Sequence, residues 1–402
     1  MDRKQEWFPF LHVLLVSIWE LLELEMENYD VVIVGAGASG IGIAAMFKDC
    51  GVERMVILER DKVGSTFHKW PKEMQFITPS FTTNYWGHID LNSVASGTSP
   101  AFSLDTEHPS GERYARYLEL ISEHWELPIE EGEDVEEVMY FGKHHSEGRF
   151  AVRTKKGKVY GSRFLIWAAG EFQYPRTHSF SGSQLCLHNS LVESWEQIEG
   201  DEIYIIGGNE SGMDAAINLS KLGKNVRVLH GDPNWDKKST DPSENLSPFT
   251  LDRLSQETVY ERIQNVGESV VTEVKLENDQ YLIYVEGKSS PYLSVAQPVL
   301  ATGFNSSAIM IENLFDWDEN KSYCLLNEKD ESLKTPGLFL VGPQVRHNNL
   351  IFCFIYKFRQ RFGVVANAIG EQLGMDTSFL DQYFNEGLYL DELSGLDEEC
   401  AC

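Results

Sequence analysis

Residues 30–40 read Asp30-Val31-Val32-Ile33-Val34-Gly35-Ala36-Gly37-Ala38-Ser39-Gly40. The apolar run to Val34 has the length and β-branched content of a strand buried on both faces. Gly35, Gly37 and Gly40 then keep G-x-G-x-x-G spacing, and the stretch Ser39–Cys50 reads as a helix stopped by Gly51. Each glycine has its own reason. The first permits the tight turn, the second lets backbone approach a pyrophosphate, and the third lets helix and strand pack closely. Ala38 and Ser39 open the helix, whose free N–H groups and positive dipole end face a bound anion. A second strand, Arg54–Glu59, ends in an acid placed to accept hydrogen bonds from ribose hydroxyls, with Arg60 next to it. Strand, turn, helix, strand and acid together specify a βαβ dinucleotide unit. The competing reading is a tight turn in an unrelated α/β protein.

The pattern restarts downstream. Asp201–Ile206 reads as a strand, Gly207-Gly208-Asn209-Glu210-Ser211-Gly212 as its turn, Gly212–Leu222 as a helix and Asn225–Leu229 as a strand. The middle glycine is replaced by Asn209, a residue that tolerates left-handed backbone. The acid expected after the second strand is missing, and His230 stands there. Without that carboxylate a 2′-phosphate meets less repulsion, which favours NADPH and leaves NADH open. Lys237 and Lys238 are the nearest candidate phosphate partners.

The rest of the chain fits around these units. Residues 62–110 lack a clear period, and so long a loop in a compact chain is usually functional. Glu112–Glu126 reads as a helix. Val135–Tyr140, Arg149–Thr154 and Lys158–Tyr160 alternate like a small antiparallel sheet, and Arg163–Ala168 reads as a further buried strand. Thr250–Gln264 is expected to be helical, Val270–Leu276, Tyr281–Val285, Gln297–Ala301 and Gly337–Val341 to be strands, and Leu350–Leu373 to be one long helix. The chain carries 34 basic and 62 acidic residues, a net charge of −28. Such a field repels phosphate backbones and anionic lipid, so a nucleic-acid partner is not expected. Six scattered cysteines show neither disulfide-framework nor zinc spacing, so no metal site is expected and a reducing cytoplasm fits. The apolar run at residues 8–19 is too short to span a bilayer, so no integral membrane segment is expected. Residues 1–26 read as an N-terminal extension and 387–402 as an acidic tail.

Two such units in one chain resemble the two-dinucleotide-binding-domain flavoproteins, among them thioredoxin reductases, bacillithiol disulfide reductases and class B flavin-containing monooxygenases. The resemblance covers roughly residues 28–372. Val299-Leu300-Ala301-Thr302-Gly303-Phe304 resembles the motif that ends the nicotinamide domain, and Trp167-Ala168-Ala169-Gly170 its counterpart in the first domain. Thr335–Gly342 resembles the second FAD motif, with Pro343 where an Asp is usual. Trp70–Phe81 and Ile355–Phe362 are most similar to bacterial flavin-containing monooxygenase-like proteins.

The resemblance implies an α/β fold of two Rossmann-like, three-layer ββα domains, with the NAD(P)H domain inserted in the FAD domain. It assigns 27–177 and 304–386 to FAD and 178–303 to NAD(P)H. FAD would be held by Gly35, Gly37, Ala38, Ser39, Gly40, Glu59, Arg60, Trp70, Gly170 and Gly342. NADPH, with NADH possible, would be held by Gly207, Asn209, Glu210, Ser211, Gly212, Thr302 and Gly303. The partner is a small-molecule substrate, and dimers common in the look-alikes leave a homodimer open.

Departures from the pattern shape the expected chemistry. No Cys-x-x-Cys exists in the second domain, and Ser39 stands where bacillithiol disulfide reductases carry cysteine. The monooxygenase fingerprint F-x-G-x-x-x-H is degenerate: Phe180-x-Gly182 precedes His188 with two extra residues. His68, Trp70, His188 and Cys353 are the catalytic candidates. His68 is a titratable group beside Trp70, and His188 stands near the nicotinamide loop. Cys353 stands at the expected start of the last helix, where a thiol pKa falls. Each has a bland alternative as loop or core residue. The expected activity is an FAD-dependent NAD(P)H oxidoreductase of monooxygenase type. The alternative is a reductase of a thiol, quinone or other small acceptor lacking its own redox disulfide.

Overall fold

In the computed structural model, residues 26–81, 89–142, 149–231 and 245–393 are described. The first unit forms as the glycine spacing requires: β1 (Glu27–Val34), α1 (Ala38–Asp49) and β2 (Met55–Glu59). The poorly periodic segment after it contributes only the short helices α2 (Ser65–His68) and α3 (Pro100–Leu104) before α4 (Gly111–His124). Next come β3 (Ile129–Glu131), β4 (Val135–Tyr140), β5 (Phe150–Thr154) and β6 (Val159–Trp167).

β6 corrects a sequence expectation. The segments 158–160 and 163–168 are one strand, because its two halves have different neighbours. β1 runs parallel along nearly its whole length, β5 pairs antiparallel with its first half, and a later strand takes over the second half. Gly161, which reads as a break, sits where a Cβ would lie 2.2 Å from Asn28 Oδ1. It permits close strand approach.

The second unit contains β7 (Leu187–His188), β8 (Glu202–Ile206), α5 (Glu210–Lys221) and β9 (Asn225–Leu229). The helix expected at 250–264 is broken. α6 (Pro248–Ser255) and α7 (Glu257–Tyr260) are separated by Gln256 in extended backbone, and β10 (Ile263–Val266) follows. The broken apolar spacing of that stretch hid the strand. β11 (Val271–Glu277), β12 (Gln280–Val285) and β13 (Tyr292–Ser294) form an antiparallel sheet, and β14 (Val299–Leu300) returns to the parallel one. The parallel sheet has the order β10-β9-β8-β14-β7. One core, with Trp195, Met213 and Leu219, fills the α5 side, and another, with Tyr204, Val274 and Ile283, fills the antiparallel side. Helix, parallel sheet and antiparallel sheet are the three layers expected.

The chain then returns to the first domain. After the hairpin β15 (Asp316–Trp317) and β16 (Cys324–Leu325), β17 (Leu338–Leu340) pairs parallel with the second half of β6. The hairpin β18 (Arg346–His347) and β19 (Leu350–Ile351) follows. The expected helix from 350 begins only at α8 (Ile355–Phe358), tightens into a 3₁₀ turn at Arg359–Arg361, and continues as α9 (Phe362–Leu373). Leu388 is buried in the first-domain core and Leu390 N donates to Gln360 O at 2.8 Å, so the start of the acidic tail is packed. Residues 1–25, Tyr85, Trp86, Lys237, Lys238, Cys400 and Cys402 lie outside the described residues.

Candidate active site

Both glycine turns are built by the same contacts. A Cβ on Gly35 would lie 2.6 Å from Ala168 O, and one on Gly40 would lie 1.9 Å from Gly35 O. In the second domain a Cβ on Gly207 would lie 2.2 Å from Ala301 O, and one on Gly212 would lie 2.0 Å from Gly207 O. Gly35 and Gly207 also need positive φ, +103° and +116°. The first glycine of each turn therefore lets the neighbouring strand's end pass close by, and the last lets the helix seat on the turn.

The middle position works differently. Gly37 has φ −84° and ψ −170°, and Asn209 has φ −87° and ψ −170°. Neither is left-handed, which corrects the argument that asparagine is tolerated there for its backbone. What the position requires is clearance: a Cβ on Gly37 meets nothing within 4 Å. That empty space faces the α1 N-terminus, which has no side-chain cap. Uncapped N–H groups and clearance suit a pyrophosphate. Glu59 ends β2 as the sequence requires. Its carboxylate accepts from Ala36 N at 2.8 Å, Asp61 N at 2.8 Å and Ser65 Oγ at 3.2 Å. A carboxylate offers about four acceptor positions, which leaves room for a ribose hydroxyl. Arg60 is exposed and pairs with Asp61 at 3.4 Å.

The second turn has a different face. Asn209 is exposed at the middle position. Glu210 is turned toward α6, where its carboxylate accepts from Ser247 N and, at 2.7 Å, from Thr250 Oγ1. Asp214, one turn further along α5, holds Arg253 at 2.8 Å in a buried pair. Thus α6 is fastened beside the turn. Thr302 Oγ1 donates to Arg176 O at 2.8 Å, and Gly303 has φ +78°. His230, at the end of β9, is buried against Gly208.

The two turns open into one cavity of about 1320 Å³, lined by Gly37, Ser39, Glu59 and Gly170 on one side and Asn209, Glu210, Ser211 and Thr302 on the other. Drug-sized pockets run about 300–1,000 Å³, so this cavity exceeds what a single small ligand needs. Gly342, φ +121°, closes the first turn from behind, where a Cβ would lie 2.5 Å from Ser39 Oγ. Trp70 lies on the wall and packs on Phe67 and Phe76, ring centroids 5.2 and 5.0 Å away. Cys353 lies on the wall two residues before α8, ahead of the helix instead of in its first turn.

The two histidines stand apart from this wall. His68 is exposed and points to Glu119 on α4, 3.6 Å away. His188 is fully buried: Nδ1 accepts from Ser190 N at 3.2 Å and Nε2 meets Gly303 O at 3.1 Å. Burial lowers its pKa. A neutral ring donating from Nε2 braces the Thr302–Gly303 loop. Arg359 and Arg361 are buried side chains that donate to backbone carbonyls and Asp330, and neither lines the cavity.

Sequence reasoning missed Glu171. It follows Gly170 directly, on the cavity wall where the chain crosses toward the second domain. Gln344 donates to its carboxylate. Burial pushes the carboxyl up to about 7, against the opposing fields of Arg346 and Arg176. A charged residue straight after the turn glycine was the available signal.

Two turns of the dinucleotide-binding type, one in each domain, face a common chamber. The chain belongs to the pyridine nucleotide-disulphide oxidoreductase family, which it matches over residues 32–342. It is 27% identical over 197 residues to indole-3-pyruvate monooxygenase YUCCA1 of rice, covering 48% of this chain and 45% of that one. The chain thus spans about half the length of the first curated relatives, 45% of the rice protein and 52% of an oxidoreductase CzcO from Bacillus velezensis. Bacillithiol disulfide reductase Bdr (YpdA) from Staphylococcus aureus superposes with TM-score 0.68 at 22% identity, covering 86% of this chain and 99% of that one. A flavin-containing monooxygenase from Stenotrophomonas maltophilia gives 0.66 at 17% identity, covering 87% and 100%. Among the described residues no helix is long and apolar enough to cross a membrane.

Proposed function

We propose that this enzyme passes hydride from NADPH through FAD to dioxygen and a small substrate, as a monooxygenase-like oxidoreductase working in a reducing cytoplasm. The observation that carries the choice is the thiol inventory of the chamber. Cys353 is the sole cysteine on its described wall, and Ser39 occupies the first turn. Burial pushes Cys50, Cys186 and Cys324 up to about 12, which keeps them as inert thiols. Among the described residues a dithiol relay therefore has no pair of cysteines on the wall.

FAD bound at the first turn supplies the two-electron chemistry between nicotinamide and acceptor. The chain's own residues position and enclose. The α1 N-terminus with Gly37, Ala38 and Ser39 holds a pyrophosphate, and Glu59 holds a ribose. Asn209, Ser211 and the Thr302–Gly303 loop, braced by His188, receive the nicotinamide cofactor. Trp70, Phe76 and Phe354 exclude water from the middle of the chamber. With no carboxylate at the end of β9, a 2′-phosphate is accepted, so NADPH is preferred over NADH.

A second reading, reduction of a small acceptor such as a quinone, is favoured by one observation. His188, the histidine the monooxygenase fingerprint would supply, braces a loop and does not reach the chamber. The test is to mix purified protein with NADPH in air and measure NADPH loss, peroxide and oxygenated product over a panel of ketones and nucleophilic amines or sulfides. Product matching NADPH loss with little peroxide supports the monooxygenase. Peroxide matching NADPH loss for every substrate, with quinone turnover, selects the reductase.

A further inference from the structure

Among the described residues six carboxyl groups reach the cavity wall, and five of them are committed. Glu59 holds the first turn together. Glu133 accepts from Thr154 Oγ1 and Lys156 Nζ, and Asp134 pairs with Lys155 at 2.6 Å. Glu210 anchors α6, and Asp214 is paired with Arg253. Glu171 alone has a neutral amide, Gln344, as its side-chain partner. It stands at the crossing between the domains: Gly170 before it, φ +65°, lies in the segment that leaves β6, and Tyr174 N donates to its backbone carbonyl at 2.7 Å. The charged groups whose fields reach it are Arg176 on the crossing segment and Arg346 on β18. Neither forms an ion pair with it among the described residues.

The stoichiometry of the reaction asks for such a group. A nicotinamide delivers hydride, two electrons and one hydrogen nucleus. Reducing a two-electron acceptor to its dihydro form consumes one further proton. Forming water beside an oxygenated product from dioxygen also consumes one. Both readings of the function therefore need a proton delivered to the acceptor in the chamber.

We propose that Glu171 is the proton donor of the chamber. The inference rests on the oxidoreductase reading above but not on the choice between its two forms. The carboxyl O–H bond breaks as a new O–H or N–H bond forms on the reduced acceptor. The electron pair of the broken bond stays on the carboxylate, which Gln344, Arg176 and Arg346 stabilise. Water at the cavity mouth then returns the proton. Its elevated pKa keeps the group loaded near neutral pH, as an acid working there requires.

The test compares wild type, Glu171→Gln and Glu171→Asp with NADPH and two probe acceptors. 1,4-Benzoquinone takes up protons on reduction, and ferricyanide takes up none. The expected result is that the ratio of benzoquinone to ferricyanide turnover at pH 7 falls at least tenfold in E171Q and recovers in part in E171D. A ratio unchanged in E171Q overturns the proposal. A second readout needs no turnover. Between pH 4.5 and about 7 the unfolded chain releases this proton while the folded chain keeps it, so the group's contribution to stability falls as pH rises through that window. The melting temperature of wild type relative to E171Q should fall across the window. A flat difference means that the carboxyl does not titrate there, and the proposal fails. If wild type oxidises no NADPH with either acceptor, the oxidoreductase reading fails instead, and the melting comparison still reports on Glu171.

Discussion

Gly37 and Asn209 share a backbone conformation and differ in what they leave open. A Cβ on Gly37 meets no protein atom within 4 Å, so the fold has room for one, and the cost falls on the ligand. Gly37→Val is expected to melt within about 0.5 kcal/mol of wild type, as open surface sites do, yet purify without the yellow flavin absorbance. A visible spectrum showing full loading would contradict the site. Gly40 is a poor probe by comparison, because its Cβ would strike Gly35 O and distort the turn itself. In the second turn, Asn209→Gly restores the missing clearance. The KM for NADPH should drop by about two- to tenfold, equivalent to about 0.4–1.4 kcal/mol, with FAD content unaltered. Steady-state kinetics decides it, and a raised KM would show that the amide side chain binds the cofactor.

At the scale of elements, the parts read correctly from sequence were those in which one local rule dominates. The βαβ units came through because glycine spacing and buried strands act over a few residues. β9 was read to its ends, since a short β-branched run between polar residues has one sensible pairing. The failures need distant information. Whether β6 is one strand depends on which neighbours flank each half, and β5 and β17 lie far apart in the chain. Where the final helix tightens, Arg359 turns inward to the Ile89, Asp90 and Ser93 carbonyls. Arg361 turns to Asp330, with contacts of 3.0 Å from Nε and from Nη2. Two arginines in a helix read as a solvated face unless their partners are known. The residues of the two turns were legible for the same local reason, whereas Glu171 needed the cavity to be seen. These buried arginines tie the irregular segments to the C-terminal helices. Burial lowers Arg359 to about 10, still charged at neutral pH. Asp330→Ala would strand Arg361 and remove the acceptor of His347, so it should cost about 3–5 kcal/mol, read as a lower denaturant midpoint with unchanged slope. A loss below 1 kcal/mol would show that the backbone carbonyls around Arg361 suffice.

On the scale of the whole molecule, the two domains are joined by contacts around the chamber as well as by the covalent crossings. Glu73 accepts from Ser194 Oγ at 2.6 Å and Trp195 N at 3.2 Å, and Lys72 N donates to Glu193 O at 3.0 Å. His108 stacks on Phe249 of α6 with centroids 3.7 Å apart. Removing both clasps in Glu73→Ala/Phe249→Ala should leave FAD bound, since neither residue lines the first turn. It should raise proteolytic cutting near residues 193–195 several-fold, because the local opening energy drops by about 1–3 kcal/mol. An unchanged digestion pattern would mean that the clasps do not hold the domains.

The interleaving of the two domains also sets an order of manufacture. The second turn is closed by Ala301, one residue past β14, and its side of the cavity is complete once the chain has been made through Gly303. The first turn begins at residue 35 but waits for β17 and Gly342, made after the whole second domain. On the ribosome the nicotinamide pocket is therefore finished first and the flavin pocket last. Yellow colour marks a chain that has been made through to its closing strand, and a prematurely terminated product stays colourless however well its middle has folded.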